Sequence, residues 1–416
     1  MLQLSIAELV ASFEAGEAVY LAGASGEANE LTSMLADPST AVADAHFKTS
    51  FVPGINGRCL ARPRHGSRTT AFFMQPGLRE ALAEGRVDFM PMNYFSILRY
   101  LNDRSTAIDT AIVQIAPPDA TGHCSLGPAV EFLPGIVARA ARVVGVINPL
   151  VPRLQGSASI SMDGLSATVH SNAPLSVYDV GQPSDAAART VAHLAPLIPN
   201  GATIQIGLGK VPAQLLLALT GHRDLALHTG LISDAVLPLA AAGALRRERP
   251  IITTVAVGSR EFYSRLTELA GLHIAHVGVT HSPQSLSAVR GFHAINSAFE
   301  VDLLGQVNAE MIDGRYVGGP GGLPDFAHAA HADPEGLSII ALNSTNAGGS
   351  VSRIVSRLES GVPVTLAQHE VDAVVTEHGA ALLRGQPVDE RARRLCAVAD
   401  PKHRNALEHE LKQVLG

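Results

Sequence analysis

The stretch ATIQIGLGKVPAQLLLAL, residues 202–219, passes from a short apolar run through Gly207 and Gly209 into a leucine-rich helical pattern. A run that is apolar on both faces suits a central parallel strand covered by helices on both sides. Glycines let the backbone come close to a ligand, and the helix start that follows points free N–H groups outward. Pro212 fits the first helical turn. Ligands of open α/β sheets gather at the carboxyl ends of strands, so the loop 207–212 is a natural ligand position, although a plain tight turn also accounts for a lone G-x-G-x-x-P.

The same alternation runs outward along the chain. Strand-like runs are 18–23, 109–122, 142–152, 251–259 and 337–342; helical patterns lie at 75–87, 211–222 and 353–361. The chain is therefore expected to be α/β, with two open, mainly parallel sheet domains. The polar segment VGQPSDAAART (180–190) is the expected boundary, giving domains 1–187 and 188–416.

The 416 residues are 46% hydrophobic and 17% charged, which excludes a disordered chain. A net charge of −7 with scattered basic residues excludes a nucleic-acid binder. The cluster Arg391, Arg393 and Arg394 reads as a solvated helix face. Three cysteines far apart, Cys59, Cys124 and Cys396, point to a reducing compartment and to no metal site. No basic and apolar leader and no membrane-spanning run are apparent, so a cytoplasmic protein is expected.

Two further segments carry chemistry. GGPGGLPDF (318–326) is a shaped loop whose N–H groups can cradle a thioester oxygen or a phosphate, though a surface turn explains it equally well. LHTGLISDAV (227–236) places His228 and Asp234 at the end of a strand-like run.

Taken in order, these motifs resemble the acetyl-CoA hydrolase/CoA-transferase family, which includes the 4-hydroxybutyrate and butyrate:acetate CoA-transferases. The resemblance also rests on PPDATGHCSLG (117–127), INPLVPRLQG (147–156), INSAFEVDLLGQVNAE (295–310), STNAGGSVSRIV (344–355) and VTEHGAALLRG (375–385). It implies two related α/β domains with the active site in a cleft between them, a homo-oligomer, and a coenzyme A thioester as substrate with no permanently bound cofactor. It implies a glutamate that forms a mixed anhydride and then an enzyme–CoA thioester. Gly207, Leu208, Gly209, Pro212, Asn296, Gly319, Gly321 and Gly322 would form the oxyanion and CoA-binding set, with oxyanion N–H groups from Leu208 and from Gly321 or Gly322.

The family segment reads His-Thr-Glu-Met-x-Ser-Asp-Gly, whereas this chain reads His228-Thr229-Gly230-Leu231-Ile232-Ser233-Asp234-Ala235. Gly230 thus stands at the glutamate position and cannot form the anhydride. Ala329 and Leu382 are further departures from family motifs. The expected function is an acyl-CoA-processing enzyme that has lost the nucleophile and performs acyl transfer to a non-carboxylate second substrate, hydrolysis or decarboxylation. His228 or His328 is the expected base, with His331 a further candidate in the same cleft and Asp234 a supporting group. A non-catalytic acyl-CoA binder or partner-dependent subunit, and an ordinary CoA-transferase, are the alternatives.

Overall fold

The computed structural model describes residues 2–414 apart from 63–65, 183 and 249. The chain forms two compact units. The first holds residues 1–179, 231–233 and 252–280; the second holds 180–230, 234–251 and 281–416. A single cut between 187 and 188 therefore does not separate them, because the chain returns twice to the first unit after its α/β sheet is complete.

The first unit carries an all-parallel sheet in the order Leu2–Leu4, Ala167–His170, Arg142–Ile147, Thr110–Ile115, Ala18–Leu21, His46–Thr49, Arg68–Ala71, Val87–Phe89. Thr110–Ile115 is buried at every position, as a strand covered on both faces must be. Val19, Leu21, Phe47, Ile112, Val144 and Val169 form one apolar core on this sheet.

In the second unit Ala226–His228, Thr203–Ile206, Phe292–Asn296, Leu337–Ala341 and Ala373–Thr376 pair in parallel, and Gly379–Leu382 adds antiparallel. Both sheets confirm the α/β architecture with mainly parallel strands. Helix Lys210–Ala218 follows the strand Thr203–Ile206 through the expected glycine loop. Gly209 is the residue before this helix and has φ of +125°, a conformation that favours glycine.

One expected helix is absent. Residues 353–361 contain the short strand Ile354–Val355, which pairs with Glu300–Asp302, and the rest is irregular. Sheet pairing and two β-branched residues outweigh the local helical pattern here. The pattern at 75–87 shortens to helix Arg79–Ala83 and ends in the strand Val87–Phe89. Among the described residues no helix is long and apolar enough to cross a membrane, and no group of three or more His, Cys, Asp or Glu is placed to hold a metal.

Candidate active site

In the second unit two sequence motifs converge on one imidazole. A Cβ on Gly230 would stand 3.2 Å from His281 Nε2, and a Cβ on Gly322 would stand 2.8 Å from the same atom. The His281 ring packs on Phe326 with centroids 4.5 Å apart, Phe326 meets Phe292 edge-on at 6.2 Å, and Phe292 meets the His228 ring at 6.2 Å. His228, His281, Phe292 and Phe326 are all buried. His281 follows from no motif in the sequence, yet it lies at the centre of this cluster.

Burial, reinforced by the neighbouring His228, pushes the His281 pKa down to about 3. The ring is therefore neutral at physiological pH. It is a poor base there, but it still offers one N–H donor and one lone pair.

The first glycine loop is tied to the same place. Thr229 Oγ1 donates to the carbonyl of Ile206 at 2.8 Å, so the strand end before Gly207, Leu208 and Gly209 is held to the residue between His228 and Gly230. Pro212 is buried in the first turn of the helix that follows. In the second loop Gly321 has φ of +58°, and Gly322 immediately precedes helix Leu323–Ala332. Gly319 and Gly321 are half-buried. Asn296 is engaged with Gln205: Nδ2 donates to Gln205 Oε1 at 2.9 Å, and Gln205 Nε2 donates to Asn296 Oδ1 at 3.1 Å.

His328 and His331 are not brought to this cluster. Phe326 faces Gly230, with its ring 3.7 Å from the Cβ position, and two residues further on the helix has turned by about 200°. The His328 side chain is 73% exposed and its Nδ1 lies 3.3 Å from Glu370 Oε1. His331 Nδ1 lies 2.9 Å from Asp372, which Arg384 also engages through Nε at 2.8 Å and Nη2 at 2.7 Å. His328, expected as a base, thus lies apart from the His281 cluster. Asp234 is half-buried, and its carbonyl accepts the Leu237 N–H at 3.1 Å ahead of helix Val236–Ala241. Leu382 is exposed at the edge strand.

The first unit has its own polar centre at the carboxyl ends of two strands. Glu131 is 1% exposed and has φ of +38°. Ser50 Oγ donates to its Oε2 at 3.0 Å and Tyr94 OH donates to its Oε1 at 3.0 Å. Tyr20 OH and the Gly23 N–H in turn donate to Ser50 Oγ, at 3.2 and 2.8 Å. Burial pushes the Glu131 carboxyl up to about 7, against the pull of these hydrogen bonds. In the same unit the motifs 117–127 and 147–156 are joined by the Arg153–Asp119 ion pair at 3.1 Å. Hydrogen bonds from Thr121 and His123, helped by Arg153, hold the Asp119 carboxyl down at about 2. A Cβ on Gly127 would stand 2.3 Å from Val151 Cγ1, so only glycine lets the two motifs pack.

Residues 3–172 match the acetyl-CoA hydrolase/transferase N-terminal domain and residues 258–411 the C-terminal domain of the same family. The chain is 32% identical over 352 residues to a 4-hydroxybutyrate coenzyme A transferase of Clostridium kluyveri, covering 83% of this chain and 82% of that one.

The chain belongs to the acetyl-CoA hydrolase/CoA-transferase family.

It is also 32% identical to a succinyl-CoA:acetate/propanoyl-CoA:succinate CoA transferase of Fasciola hepatica, covering 82% of this chain and 73% of that one. RipA from Yersinia pestis superposes with a TM-score of 0.91 at 28% identity, covering 99% of this chain and 97% of that one. The fold is thus of the CoA-transferase type, and the protein is an acyl-CoA transferase/hydrolase-family enzyme that processes CoA thioesters.

Proposed function

We propose that this family member acts on an acyl-CoA thioester without passing through an enzyme–CoA intermediate. The acyl group goes directly to a non-carboxylate acceptor, to water or another nucleophile, or the acyl chain is decarboxylated while it remains on CoA. The observation that carries this reading is Gly230. Gly230, which the motif resemblance sets at the family's glutamate position, has no side chain, and a buried imidazole stands beside it. The N–H groups of Leu208 and of Gly321 or Gly322 remain as the oxyanion donors, since backbone donors do not depend on the missing carboxylate. His228 keeps its place beside the cluster through Phe292. We place the enzyme in the cytoplasm as a homo-oligomer, settings that fractionation and sedimentation test.

The deciding experiment incubates the purified protein with acetyl-, butyryl- and 4-hydroxybutyryl-CoA, with and without amine, alcohol and carboxylate acceptors. Free thiol and intact protein mass are followed together. CoA release without a CoA-sized mass gain on the protein supports the reading. An isolated enzyme–CoA thioester refutes it, and tight acyl-CoA binding without any turnover favours a binding subunit.

A further inference from the structure

Gly230 and Gly322 lie far apart in sequence, yet both leave open the space beside the same ring. The Cβ position of Gly230 is 3.2 Å from His281 Nε2 and 3.4 Å from Cε1; that of Gly322 is 2.8 Å from Nε2 and 2.8 Å from Phe326 Cε2. At Gly322 these distances are too short for any side chain without a shift, and at Gly230 the ring must give way by a few tenths of an ångström to admit a Cβ, an overpacking that forces side chains from their preferred rotamers. The ring has little freedom to withdraw. Phe326 packs against it at a tilt of 45°, and the residue after it, Ser282, caps the helix Pro283–Leu286 by accepting the Ser285 N–H at 3.2 Å. Gly230 is therefore more than an absent carboxylate. Its lack of a side chain also gives the His281 ring its room.

We propose that His281 is a second determinant of the reaction class: its imidazole occupies the ground that a residue-230 side chain needs, so it closes the covalent glutamyl route independently of Gly230. Restoring the carboxylate alone then does not restore the route. His281 must also be reduced in size. This inference rests on the reading of position 230 as the family's nucleophile position. The coupling between the two residues follows from their contact alone.

The test uses the full chain as wild type, Gly230→Glu, His281→Ala, and the double variant, with His281→Ser as a second small replacement alone and with Gly230→Glu. Thermal melting and intact mass after incubation with acetyl-CoA and butyryl-CoA are measured on each. Gly230→Glu alone is expected to lose several degrees of melting temperature and to gain no CoA adduct. In the His281→Ala or His281→Ser background the same change is expected to cost much less and to yield a near-stoichiometric CoA adduct. The proposal is overturned if Gly230→Glu alone forms the adduct as fully as the double variants, or if its melting penalty is the same in all backgrounds. A melting penalty relieved by the small residues with no adduct in any variant upholds the packing pair and refutes the assignment of position 230 as a nucleophile position.

Discussion

Thr229 Oγ1 donates to the Ile206 carbonyl at 2.8 Å and accepts the Ile206 N–H at 3.3 Å. One buried hydroxyl thus satisfies both main-chain groups at the end of a strand. The glycine loop that starts at Gly207 and the segment that carries His228 and Gly230 are fixed to each other by this side chain. The placement of the loop N–H groups relative to position 230 depends on it.

Thr229→Val keeps the shape and removes the hydroxyl. Two buried main-chain groups lose their partner, at a cost of about 1–3 kcal/mol. Urea denaturation is expected to show that loss, and Thr229→Ser is expected to recover most of it. Acyl-CoA affinity should fall with Thr229→Val, because the loop is no longer held.

The Gln205–Asn296 pair gives a sharper contrast. Asn296→Leu leaves the buried Gln205 amide without the two hydrogen bonds it now makes, and about 1–3 kcal/mol of stability should be lost. The double replacement Gln205→Leu with Asn296→Leu removes both polar groups and is expected to recover much of that loss. A double-mutant cycle measures this coupling. If the double variant also keeps its affinity for acyl-CoA, Asn296 makes no contact with CoA that binding needs.

His328 and Arg384 should respond in opposite ways to replacement. His328→Ala alters an exposed ring, so stability should change by less than about 0.5 kcal/mol and CoA release should stay at the wild-type rate. Arg384→Met strips the guanidinium from Asp372, which is 1% exposed at its side chain. Breaking a buried pair in this way costs about 3–5 kcal/mol. Here the Ser338 N–H still donates to Asp372 and Arg384 is partly in solvent, so a loss near the lower end is expected. Denaturation midpoints of the two variants at the same pH check both statements.

The sequence carried the strand–glycine–helix unit at 202–219 openly, because its signals are local: an apolar run, two glycines and a leucine-rich helix. It misled at 353–361, where the pairing of Ile354 and Val355 with a strand some fifty residues earlier decides the structure. His281 had no local signal at all. It stands in the turn Thr280-His281-Ser282-Pro283, and only the fold brings it to Gly230. Glu131 did leave a trace, as a lone acid inside the apolar run PAVEFL (128–133), where an ionisable group needs buried partners. His328 follows the second glycine loop in sequence, but helix periodicity turns it away from Phe326 and His281.

Two buried groups give the protein a pH signature with opposite slopes. Glu131 has a folded-state pKa of about 7 against an ordinary 4.5. Between these values the folded chain keeps a proton that the unfolded chain releases, so stability falls as pH rises through the window, by about 3 kcal/mol in all. His281 has a folded-state pKa of about 3 against an ordinary 6.5. Its contribution is complete above pH 6.5 and is lost as pH falls toward 3, because the unfolded chain takes up the proton first. From pH 4.5 to 6.5 the two slopes oppose, and their joint contribution is flat. Above 6.5 only the Glu131 term acts, and below 4.5 only the His281 term acts. Glu131→Gln should therefore leave a stability that rises with pH from 4.5 to 6.5 and no longer falls just above it. His281→Ser should leave one that falls with pH across the whole range from 4.5 to 7. Urea midpoints taken at half-unit intervals from pH 4 to 8 separate the cases. Parallel curves for both variants and the wild type would show that neither group is buried in its folded state as described.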